Sequence, residues 1–133
     1  MRVTIIAVIV ENTALLVKFS SIPGVGFAKW GGNDEPFPGQ YLDVEIEIDE
    51  TIYIGKNAHL QSQHVFEMSH DSKSLTLSGF VEDQDDDGLV YLRISTDCLL
   101  MIESVEPNLA GRWIELEVPA SSVKLYPTGS VNI

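Results

Sequence analysis

With 133 residues, 44% of them hydrophobic, the chain can bury a core without staples and is too apolar to be disordered. Its 20 acids against 8 bases give a formal net charge of −12, which repels phosphate backbones and anionic membrane surfaces and draws in basic partners. A single cysteine, Cys98, excludes an intramolecular disulfide and fits a reducing, cytoplasmic setting.

The apolar run Val3 to Val10 is about half the ~18 residues that a membrane span needs. No small-residue cleavage pattern follows it, so it reads as a strand rather than a signal peptide. Strands are expected over 2–10, 13–19 and 25–30, with Asn12 marking the first hairpin turn. Residues 22–38 are rich in Gly and Pro, which confines that region to one short strand between loops. Period-2 alternation is cleanest next: Leu42, Val44, Ile46 and Ile48 lie on one face, and Asp43, Glu45, Glu47 and Asp49 form a column on the other. A short strand follows at 51–54. The polar segment 55–63 reads as a linker, dividing a first lobe, residues 1–58, from a second, residues 59–133.

In the second lobe, strands are expected at 64–69, 74–82, 89–95, 98–103, 112–118 and 123–126. Asp87-Gly88 supplies a hairpin turn. Pro119-Ala120-Ser121-Ser122 suits a single helical turn before the last strand. No window carries a 3.6-residue period of helical length, so the fold class is all-β.

The chain reads as a duplication. Residues 3–11 align with 75–83, and Gly39-Gln-Tyr-Leu-Asp-Val-Glu-Ile46 aligns with Gly111-Arg-Trp-Ile-Glu-Leu-Glu-Val118, both at an offset of 72. The same face points inward in both copies, with Glu115 and Glu117 outward in the second. Acidity is uneven: residues 1–66 hold 8 acids and 4 bases, residues 67–133 hold 12 and 4.

Five strands per copy, with Gly111 to Pro119 running into Val123-Lys-Leu-Tyr126, resemble a tandem pair of OB-like barrels of the TOBE type. That resemblance implies two antiparallel β-barrel lobes. It also implies binding of small oxyanions, nucleic acid or proteins, among which fold alone does not choose. The segment Gly39 to Asp49 is also similar to one in small uncharacterised bacterial proteins, a resemblance that implies no function.

Candidate sites are few. Asp83-Gln84-Asp85-Asp86-Asp87-Gly88 has the alternating oxygen ligands of a calcium loop. A full twelve-residue loop needs a bidentate Glu where Ile94 stands, so a solvated hairpin turn is the favoured reading. His59, His64 and His70 lack the spacing of zinc pairs. Cys98 lies in an apolar strand beside Asp97, which opposes thiolate formation. No Gly-x-Ser-x-Gly elbow is present, and no helix start follows Gly24-Val25-Gly26 to cradle a phosphate. Lys18, Phe19, Phe27, Lys29 and Trp30 are a thin version of a nucleic-acid surface.

No catalytic, cofactor or metal residue is therefore assigned, and the chain is read as a non-enzyme that does not bind nucleic acid or membrane. The expected function is binding of a basic protein through Asp43, Glu45, Glu47, Asp49, Asp85, Asp86, Asp87, Glu115 and Glu117, in the manner of an immunity protein that neutralises a cationic toxin. The alternatives are a small-ligand or ion-binding module with its site between the copies, and a structural protein. The latter would self-associate into a homodimer through strand 123–126 and the tail 129–133.

Overall fold

A computed structural model describes residues 1–128, and the fold is all-β. Among the described residues twelve strands follow in order, joined by tight turns and by longer loops at 31–40, 61–66 and 105–112: β1 (Arg2–Glu11), β2 (Ala14–Ser21), β3 (Gly24–Trp30), β4 (Tyr41–Ile48), β5 (Thr51–Ile52), β6 (Ala58–Leu60), β7 (Glu67–His70), β8 (Ser74–Gln84), β9 (Leu89–Ser95), β10 (Cys98–Ser104), β11 (Trp113–Pro119) and β12 (Val123–Pro127). The expected turn after Pro119 is present as one turn of 3₁₀ helix, Ala120–Ser122. Strand β6 lies inside the segment read as a linker. It forms because Ala58 and Leu60 pair with Leu116 and Ile114 of β11, a partner far off in sequence. Among the described residues no helix is long and apolar enough to cross a membrane.

Five strands close on themselves. β1 pairs with β2 and β4, β2 with β3, and β12 fills the gap, parallel to β3 at Lys124 and Leu125 and antiparallel to β4 from Val123 to Pro127. The inward faces pack Val3, Ile5, Val17, Phe19, Ala28, Val44, Val123 and Leu125, all essentially inaccessible. A second cycle joins β8 to β9 and β11, β9 to β10, and completes the circuit with β5, parallel to β10, and β6, antiparallel to β11. Its closing strand is broken in two by the turn at Tyr53–Asn57, where the Asn57 side chain accepts from the Tyr53 N–H and donates to the Thr51 carbonyl. β7 links the cycles, meeting β3 at Gly24 and β8 over Leu75–Ser78, and buried side chains from both form one continuous core.

Pairing therefore runs across residue 58. The strand that closes the N-terminal cycle comes from the C-terminal end of the chain, and the strands that close the C-terminal cycle come from residues 51–60. The crossing segments touch: Asp49 N–H donates to the Ser122 carbonyl at 2.8 Å, and Ser122 Oγ donates to Glu50 Oε2 at 2.6 Å. The expected dimer edge, strand 123–126, is thus occupied on both sides, and the tail 129–133 lies outside the described residues.

The first hairpin turns on Asn12 and Thr13, both at positive φ (49° and 68°). Two left-handed residues give the turn the twist of the flanking strands, but a β-branched threonine is a poor occupant of that conformation. Replacing Thr13 by glycine is expected to raise stability by about 1 kcal/mol, read from the urea midpoint at unchanged slope.

Candidate functional site

The nine expected binding residues do not form one patch. Asp43 is taken up by Arg2, which donates to both of its oxygens and lies 5.0 Å from the Tyr41 ring centroid. The hydrogen bond from Arg2 holds the Asp43 carboxyl below the usual carboxylate range and raises Arg2 in turn. Glu115 is 3.3 Å from His59 across the β6–β11 pair, on the face where Trp113 stacks on His64 (5.0 Å) and meets Phe66 and Phe80. Glu117 is exposed two residues further along β11.

The tip Asp83–Gly88 is a turn that uses its own carboxylates. Asp85 Oδ1 accepts from the backbone N–H of Asp87 and of Leu89, each at 2.9 Å, and Asp83 Oδ1 accepts from Gln84 at 2.8 Å. Gln84 anchors the neighbouring loop: its Nε2 donates to the Glu106 carbonyl at 2.7 Å and its Oε1 accepts from Leu109 N–H at 2.8 Å. Asp86 and Asp87 remain at the rim of the depression between this turn and residues 104–110.

Glu45, Glu47 and Asp49 do come together with something else. Alternation along β4 buries Val44 and Ile48 and turns these acids outward. They face β10, whose own alternation buries Cys98, Leu100 and Ile102 and turns Leu99, Met101 and Glu103 outward. The two strands wall a groove of about 530 Å³ bounded by Glu45, Glu47, Leu99, Met101 and Tyr126. It adjoins a stretch of about 540 Å³ bounded by Glu47, Asp49, Glu50, Tyr53, Met101 and Glu103. Met101 is 62% exposed, and Leu99 and Tyr53 are each 41% exposed. An outward strand face normally carries polar residues, so large apolar groups between carboxylates mark this surface out.

The N-terminus sets the spacing of the walls. The Met1 ammonium donates to the Val44 carbonyl at 2.9 Å, and Arg2 N–H donates to Asp97 Oδ2 at 3.1 Å, at the start of β10. Asp97 also accepts from Ser95 Oγ at 2.5 Å. Glu45, Glu47 and Asp49 make no ion pair among the described residues; Lys124 stands across from Glu47 in the β4–β12 ladder, with its ammonium 6.0 Å from the Tyr126 ring centroid.

The remaining candidates disperse. His59, His64 and His70 have separate neighbours: Glu115, Trp113, and Phe27 with the Asp71 carbonyl. No group of three or more His, Cys, Asp or Glu among the described residues is placed to hold a metal. Cys98 is buried, and burial pushes its thiol up to about 11, with the Asp97 charge adding to the effect. Phe19 of the thin nucleic-acid surface is wholly buried, and Phe27 stacks on His70. Sequence reading missed the apolar half of the groove. Leu99 and Met101 lie in the run Cys-Leu-Leu-Met-Ile, which reads as buried on both faces until its partner strands are known. No family model, curated protein or solved structure matches the chain.

Proposed function

We propose that this chain is a non-enzymatic binding protein whose partner is a basic protein, held in the groove between β4 and β10. The observation that carries the reading is the pairing of Glu45, Glu47, Asp49, Glu50 and Glu103 with the exposed side chains of Leu99, Met101 and Tyr53. Carboxylates speed and orient the encounter with a cationic surface, and the apolar groups supply the area whose burial holds it. An inhibitor of the immunity type, neutralising a cationic toxin, has this combination of features. Of the nine acids expected to bind, Glu45, Glu47 and Asp49 carry the proposal; Asp43 and Glu115 are already paired, and Asp85 is committed to its turn.

A small-ligand module of the TOBE type has less support. A module of that type would hold its ligand between the two cycles, in the same β4–β10 groove, but the acidic walls there suit a cation rather than the small oxyanions that the resemblance implies.

The test is amide chemical-shift mapping with an amphipathic peptide of alternating lysine and leucine. Shifts concentrated on residues 45–50 and 99–103, weakened by salt and by Met101→Ser, are the expected result. Shifts of equal size at Asp85–Asp87 and at Glu115 and Glu117 would show charge attraction without a site, and would sink the proposal.

A further inference from the structure

The outer edge of β1 is open. β4 covers only Arg2–Thr4, and the loop before it covers Ile5, whose N–H donates to the Gln40 carbonyl and whose carbonyl accepts from Gly39 N–H, each at 2.8 Å. After a bulge at Ile6 the strand pairs with β2 on one side from Ala7 to Glu11, and among the described residues no backbone group is hydrogen-bonded to it on the other. This edge reads Ile6-Ala7-Val8-Ile9-Val10, with no charge, proline or glycine. Val10 is 70% exposed, and Ile6 and Ile9 each 42%. Edge strands are normally protected by lysine, proline or a covering loop, because unpaired N–H and C=O groups template another strand. None of these stands along Ala7–Val10 among the described residues; a bulge, another such device, interrupts the strand only before it, at Ile6.

We infer that a second copy of this chain occupies the edge, antiparallel, to form a two-fold dimer with the two sheets joined through β1. Charge selects this occupant. A chain of net charge −12 repels its own copy over most of its surface, so two copies approach best where charge is absent, and Val3–Val10 is uncharged. A basic partner finds no carboxylate here before Glu11. The segment is also self-complementary: a two-fold axis through Ile9 sets Ile9 against its own copy, Val8 against Val10 and Ala7 against Glu11, so each copy offers what the other needs. Ile9 and Val10 are covered in the same step, and the β4–β10 groove plays no part in the contact.

Sedimentation equilibrium of the full chain, from low micromolar to submillimolar, tests this. The wild type is expected to dimerise with rising concentration, with amides of residues 6–10 gaining exchange protection in the concentrated sample. Val10→Lys should weaken association by about tenfold or more. Ile22→Lys makes the same charge change at a 71%-exposed position in the β2–β3 turn and should leave association unchanged. A wild type that stays monomeric throughout overturns the inference. So does a dimer that both lysines weaken equally, or one that Val10→Lys leaves intact.

Discussion

Gly79→Ala is expected to cost the fold more than about 3 kcal/mol and to bring the urea midpoint far below that of the wild type. Gly79 is buried in β8, opposite Ile114 of β11, one residue before the Phe80–Arg93 pair with β9. A Cβ there would lie 2.0 Å from the Arg93 carbonyl oxygen and 3.1 Å from Cγ2 of Ile94. The first obstacle is backbone, so no rotamer change relieves it; β8 and β9 must separate next to the bulge at Val81–Asp83. Overpacking a core by a methylene already costs ~1–3 kcal/mol. A backbone clash at the strand shared by β7, β9 and β11 should exceed about 3 kcal/mol, against total stabilities of ~5–15 kcal/mol for a domain. Gly111→Ala is the control. Its φ of 84° is unfavourable for alanine, but nothing lies within 4 Å, so the cost is conformational alone, about 1 kcal/mol. Urea titrations of the two variants separate space from backbone conformation. Equal midpoints would show that the close approach at Gly79 is not the constraint argued here.

Much of this architecture was legible because each strand declares itself locally. The alternation of Leu42–Ile48 and of Ile114–Val118, the turn residues Asn12 and Asp87-Gly88, and Pro119 before a helical turn are short-range signals, and the strands they bound are present. Partnership was not legible, because pairing is decided by residues far apart. The fixed 72-residue offset shows why. It holds between Tyr41 and Trp113, yet these pair with Thr4 and Phe80, which are 76 apart. The bulges agree with the longer spacing, since Ile5/Ala7 and Val81/Asp83 are also 76 apart. Sliding a strand by four residues preserves its inside–outside alternation, so apolar patterning alone cannot detect the slip. The candidate site divides in the same way. Outward acids at Glu45, Glu47 and Asp49 follow from parity, whereas the exposure of Leu99 and Met101 depends on β10 lying beside β4 with no strand among the described residues covering its outer face.

Splitting the chain in the loop between β6 and β7, into residues 1–62 and 63–133, is expected to give two fragments that are unfolded alone and fold on mixing. The N-terminal fragment keeps β1–β4 but lacks β12, and with it the buried side chains of Val123 and Leu125, each 0% exposed. Full burial of such a side chain is worth ~1.5–3 kcal/mol, and the ladder to β4 and the parallel pairs to β3 are lost as well. The C-terminal fragment keeps β8–β11 but lacks β5 and β6, leaving Ile102, Leu116 and Ile114 without the cover of Ile52 and Ala58. Each fragment also carries strands whose partners are on the other, so each alone exposes unpaired edges and apolar surface together. Mixed, they recover both closures. Association should then be tight, because it restores two strand exchanges and the Ser122–Glu50 hydrogen bond between the crossing segments. Amide spectra would report this directly, with narrow dispersion for either fragment and the dispersion of the intact chain at one-to-one mixing. A fragment that folds by itself with a cooperative transition would mean that its own last strand can close its own sheet. The pairing of residues 51–60 with β10 and β11, and of 123–127 with β3 and β4, would then be a preference of the intact chain rather than the condition of its folding.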